Sequence, residues 1–67
     1  MSIARVTEII SSSTEGFDDA IRQGTARACK TLENVTGAWI SEQKVVVENG
    51  KVTEYRVVMK VTFILKE

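Results

Sequence analysis

Short β-branched runs bracket one stretch of helical spacing along this chain, and each change of rhythm marks an element. Ile3 to Ile10 is short and rich in β-branched residues, which predicts a strand. The run SSSTEG follows and supplies hydroxyls for a helix start, with Ser12 and Glu15 at capping-box spacing and Ser13 as the other candidate cap. From Phe17 the apolar and small residues fall at Phe17, Ala20, Ile21, Gly24, Ala28 and Leu32, which traces one stripe of a helix. Asp18 and Asp19 sit where the helix dipole favours negative charge. The helix is expected to end near Asn34, a residue that tolerates a left-handed terminal conformation. Gly24 and Ala28 narrow the middle of the stripe, so the helix is expected to lie close against a sheet.

The rhythm then returns to strands. In VVVENGKV the pair Asn49-Gly50 suits a two-residue turn of type I′, because both residues accept positive φ. That turn predicts Glu48 opposite Lys51, Val46 opposite Thr53, Lys44 opposite Tyr55 and Gln43 opposite Arg56. Continued outward, it sets Ile40 against Met59 and Trp39 against Lys60, with a bulge expected to shift the distal pairs by one. One face then carries Ala38, Ile40, Val57, Met59, Val61, Phe63 and Leu65 and meets the helix. The other carries Trp39, Ser41, Gln43, Arg56, Val58, Lys60 and Thr62. The single Trp therefore points away from its own core.

The predicted fold is α+β: a β-α-β-β order with one helix on a three-stranded antiparallel sheet, in a single domain over residues 1–67. A chain of 67 residues buries only about 60% of its unfolded surface, so it needs help to be stable. Cys29 is the single cysteine and there is no histidine. This excludes an internal disulfide, argues against a zinc site and suits a reducing cytoplasm. Cys29 itself is expected as a small packed thiol. Assembly is the remaining source of stability. A strand from Val52 to Lys66 spans about 50 Å, whereas a helix from Thr14 to Asn34 covers only about 30 Å. The excess strand is expected to meet other copies, with Trp39 at or near their junction.

Nine Lys and Arg balance nine Asp and Glu. This gives no basic excess for a nucleic-acid partner. MSIARVTEII carries Arg5 and Glu8 and leads into no long apolar run, so neither a signal peptide nor a membrane span is expected. No catalytic pair of a recognised type is present, and the chain reads as a non-enzyme.

Several segments together resemble the dodecins, small flavin-binding proteins. They are the strand end EII, the cap SSSTEGFDDAI, the helix end ARACKTLENV, the segment ISEQ, and ENGKVTEYRVVMKVTF. The resemblance spans nearly the whole chain. It implies a homododecameric shell that stores or sequesters flavin (riboflavin or FMN), stacked in pairs between tryptophans of symmetry-related subunits. It also implies two departures. The usual stacking Trp lies three residues before the aliphatic position matched by Ile40, and Gly37 stands there. The usual Gln after an aromatic of the last strand is replaced by Arg56, after Tyr55. Gly37 and Trp39 share parity, so the indole has moved roughly 6–7 Å along one face. The candidate flavin-binding residues are therefore Gly37, Trp39, Gln43 and Arg56.

The residues leave two roles open for Trp39, a stacking surface for a flat ligand or an aromatic anchor in a subunit contact. Arg56 is expected either at a flavin carbonyl or phosphate, or in an ion pair with Glu42 or Glu54 of another copy. Lys60 and Glu54 read as solvated or shell-lining charges. The alternative function is an assembly of the same fold that binds no flavin, holding ions or another small molecule.

Overall fold

The computed structural model describes residues 2–65. The elements are β1 (Ile3–Ser13), α1 (Phe17–Thr31), β2 (Val35–Glu48) and β3 (Lys51–Leu65). The three strands form one antiparallel sheet in the order β1-β3-β2, so the strand that closes the chain is central and β1 and β2 are its edges. The β-α-β-β arrangement with one helix on a three-stranded sheet is as expected. Of the strand expected over Val52 to Lys66, Lys66 lies outside the described residues.

β1 runs three residues further than its β-branched stretch, because Ser11, Ser12 and Ser13 continue the ladder opposite Val57, Arg56 and Tyr55. This corrects the expected helix start. With Ser12 held in a strand, the capping box does not form. Gly16 is the N-cap and no side chain caps it. Ser13 acts in the turn instead: its Oγ accepts from the Glu15 N–H at 2.9 Å and donates to the Asp19 carboxylate at 2.6 Å. The helix also ends earlier than expected, at Thr31. Leu32 is extended and its N–H donates to the Ala28 carbonyl. Asn34 does adopt positive φ, at 62°, but in the turn leading into β2.

The core lies where α1 crosses β1 and β3. Ala20, Val57 and Met59 are fully buried, with Ile9, Phe17, Ile21 and Ile40 packed around them. Gly24 and Ala28 are buried on the same stripe. Phe17 meets Tyr55 edge-to-face, ring centres 5.2 Å apart. The helix barely touches β2. Ala38 therefore remains exposed and Ile40 half-buried, although both point to the helix side. Leu65, also expected on the buried face, is exposed. Cys29, expected to be packed, is exposed as well and borders the groove left between α1 and β2.

Asn49 and Gly50 both have positive φ, 53° and 76°, and close the hairpin as expected. Glu48 faces Lys51, Ile40 faces Met59 and Trp39 faces Lys60. The middle pairs differ. Thr53 is an extra residue in β3 and Ser41 an extra residue in β2, so Val46 faces Glu54, Lys44 faces Arg56 and Gln43 faces Val57. The two bulges cancel, which is why the distal pairs return to the simple register while those between them are shifted by one. A further extra residue, Thr36, lies between Val35 and Gly37.

Pairing with β1 stops at Ser13–Tyr55. Beyond it, β2 and β3 continue as a two-stranded arm, and the molecule reaches 51 Å along its longest axis. Alternation places Val45, Val47 and Val52 on the helix side of this arm, past the start of α1, and all three are exposed. Apolar residues at a helix-side face without a helix above them form a surface to be covered.

Candidate functional site

The sheet face away from α1 holds three of the four candidate residues. Gly37 faces Thr62, Trp39 faces Lys60, and Arg56 faces Lys44 and Ser12. The ladder is regular from Gly37 to Ile40, so Gly37 and Trp39 project from one face as expected. A Cβ built on Gly37 meets nothing within 4 Å, so the space beside the indole is open. Trp39 is 48% exposed, on an edge strand. The structure brings these two residues together.

Gln43 is not on this face. The Ser41 bulge turns it toward the helix side, where it faces Val57. Arg56 shares the face with Trp39 but stands level with a position four residues along β3 from Lys60, about 13 Å away. Arg56 is also engaged. Its Nε donates to the Glu54 carboxylate at 2.8 Å, two residues away on the same strand. The ion pair expected with another copy is made inside the protomer.

The Arg56 guanidinium, helped by the Ser12 hydroxyl, holds the Glu54 carboxyl below its ordinary value of 4.5. A lowered carboxylate pKa gives stability that is present above the unfolded value and lost as pH falls through the folded one. Thermal melts of the native chain and of Glu54→Gln are therefore expected to differ at neutral pH. The curves should converge as pH falls below about 4.5. Because the pair is only partly buried and open to solvent screening, the difference is small. A gap that stays constant down to acid pH would assign the effect to something other than this carboxylate.

Lys60 reads in sequence as a solvated or shell-lining charge, and its ammonium lies 5.8 Å from the centre of the Trp39 ring, within cation–π range. The signal was present in the register, which sets Trp39 directly opposite Lys60. Across the sheet on the other side of Lys60 stands Glu8. Among the described residues no group of three or more His, Cys, Asp or Glu is placed to hold a metal ion. Among the described residues no helix is long and apolar enough to cross a membrane.

Fold and site together define a class of protein: a small α+β subunit with an overhanging hairpin arm, two open sheet edges and one aromatic on the bare face of its sheet. Residues 3–66 match the Dodecin family, and the chain belongs to it. It is 34% identical over 65 residues to the dodecin of Thermus thermophilus, covering 97% of this chain and 94% of that protein. Among solved structures, the dodecin from Streptomyces davaonensis matches with a TM-score of 0.92 at 39% identity, over 98% of this chain and 97% of that one. The calcium dodecin from Mycobacterium tuberculosis, a calcium-chelating antigen with a novel calcium-binding site, matches at 0.84 and 27%, over 97% and 93%. Members of the family are oligomeric.

Proposed function

We propose that this chain is the subunit of a homo-oligomeric shell, twelve copies in the family's manner, that binds and sequesters flavin at its subunit seams in the cytoplasm. Riboflavin or FMN is the flavin bound. The observation that carries the reading is Trp39, half exposed on the bare sheet face beside the open space at Gly37. An indole in that setting offers a flat ring roughly 1–3 kcal/mol of stacking, the value of base–aromatic stacking in nucleic-acid binders. The shift of the aromatic from position 37 to position 39 keeps it on the same face of the same edge strand. Arg56 supports the ligand only by giving up part of its hold on Glu54. The role is storage and protection from light-driven chemistry, not turnover.

A second reading rests on the same residue. The Lys60 ammonium already packs on the indole, which suits Trp39 as an anchor in a subunit contact with no flavin bound. Adding riboflavin to the purified protein and following flavin fluorescence separates the two. The flavin reading expects quenching, and expects Trp39→Ala to lose roughly ten-fold or more in affinity while the assembly keeps its size. Unquenched flavin, together with a mutant that falls apart on sizing, would select the anchor. Calcium, bound by the Mycobacterium relative, would require carboxylates from several copies meeting at an axis. Metal analysis of the intact assembly addresses that.

A further inference from the structure

One row across the bare sheet face joins all three strands: Trp39 on β2, Lys60 on β3 and Glu8 on β1. Lys60 stands between an aromatic ring and a carboxylate. Its ammonium lies over the ring, and among the described residues the Arg56–Glu54 contact is the one salt bridge formed. We propose that Lys60 is the selectivity residue of the Trp39 platform, making it take flavins that carry a phosphate in preference to uncharged riboflavin. The inference rests on the flavin reading above and names the ligand class within it.

An uncharged flat ring arriving on the face that Lys60 covers displaces the ammonium and offers it nothing in return. A ligand with a phosphate on a flexible chain gives the displaced ammonium a new partner, by a charge-assisted hydrogen bond. Lys60 is the cation placed for this. Arg56 stands about 13 Å along the face and is held by Glu54. The surroundings sharpen the dependence. Glu8 flanks Lys60 on one side, and Glu42, opposite Val58 in the next row, flanks it on another. With Lys60 removed, the platform is bordered by these carboxylates, which repel a phosphate.

The test is a pair of titrations, with FMN and with riboflavin, of the intact assembly of native chain, Lys60→Met and Lys60→Arg, read by flavin fluorescence. Native protein is expected to bind FMN roughly ten-fold or more tightly than riboflavin at low salt, with the gap closing as salt is added. In Lys60→Met the preference is expected to vanish or reverse, while riboflavin itself binds roughly two- to five-fold tighter because its competitor for the ring is gone. Lys60→Arg is expected to keep the preference. Lys60→Gln is titrated beside them, with each variant sized, so that a change in assembly is not read as a change in selectivity. If both flavins bind and their ratio is the same in native protein, Lys60→Met and Lys60→Gln, the selectivity role is wrong and the flavin reading stands. If native protein binds neither flavin, the flavin reading itself fails and this inference falls with it.

Discussion

Replacing Gly24 with valine is expected to destabilise the protomer by about 3 kcal/mol, at the upper end of overpacking costs. For a domain of this size that lowers the melting midpoint by roughly 12–24 °C. Gly24 is buried in the middle of α1, on the side that meets the sheet. A Cβ placed there comes within 2.9 Å of the Met59 sulfur and 3.0 Å of the Ser11 Cβ. Neither neighbour gives way freely. Met59 is fully buried in the core, and Ser11 is paired to Val57 and donates its hydroxyl to the Ala20 carbonyl at 2.7 Å. The two γ-methyls of valine add to the collision. Alanine is the finer probe, because it gains up to about 1 kcal/mol of helix propensity over glycine. We expect the clash to outweigh that gain and Gly24→Ala to melt lower as well. Melts at one fixed protomer concentration check both, and a higher midpoint for alanine would show that α1 can lift from the sheet at little cost.

The second large effect is expected in assembly. Val47 faces Val52 on the helix side of the hairpin arm, beyond the reach of α1, and is 56% exposed in the protomer. In an isolated protomer, Val47→Asp should change stability by no more than about 0.5 kcal/mol, as surface substitutions do. If neighbouring copies cover the arm, each copy instead buries an unpaired carboxylate, which is strongly unfavourable. Val47→Asp is therefore expected to collapse the sizing profile from a large assembly to protomers or small species, and to lower the melting midpoint, because a 67-residue chain draws part of its stability from assembly. An intact assembly would mean that the arm points into solvent and that the contacts lie elsewhere.

Local chemistry was legible in the sequence and non-local compensation was not. Asn49-Gly50 announces its turn because the two residues themselves accept the backbone angles. The stripe through Ala20, Gly24 and Ala28 announces the buried face of α1 because helical spacing is periodic. The face of Trp39 followed from the same reasoning, since the register at Gly37 to Ile40 agrees with the turn. Gln43 was misplaced because nothing in ISEQKVVV marks Ser41 as the residue that steps out of the ladder. That choice depends on the opposite strand. The serines of β1 misled for a related reason: Ser12 suits a cap, but pairing with Arg56 draws its backbone into the sheet. Glu54 is named as a partner of Arg56 from the charges alone, but from another copy; that the two meet on one strand depends on how two side chains two positions apart on one face turn toward each other. The register places Lys60 opposite Trp39, and its contact with the ring follows from that pairing.

The unpaired residues of the hairpin have a consequence for how this sheet tolerates changes in chain length. At most positions in β2 or β3, dropping one residue would send each side chain between the gap and the turn to the opposite surface. Thr36, Ser41 and Thr53 are exceptions, because each already stands outside the ladder. Excising one of them leaves its neighbours with the partners they now have and straightens the strand locally. These three sites act as slack in an otherwise rigid weave, and they are where relatives of different length can differ without turning the sheet inside out.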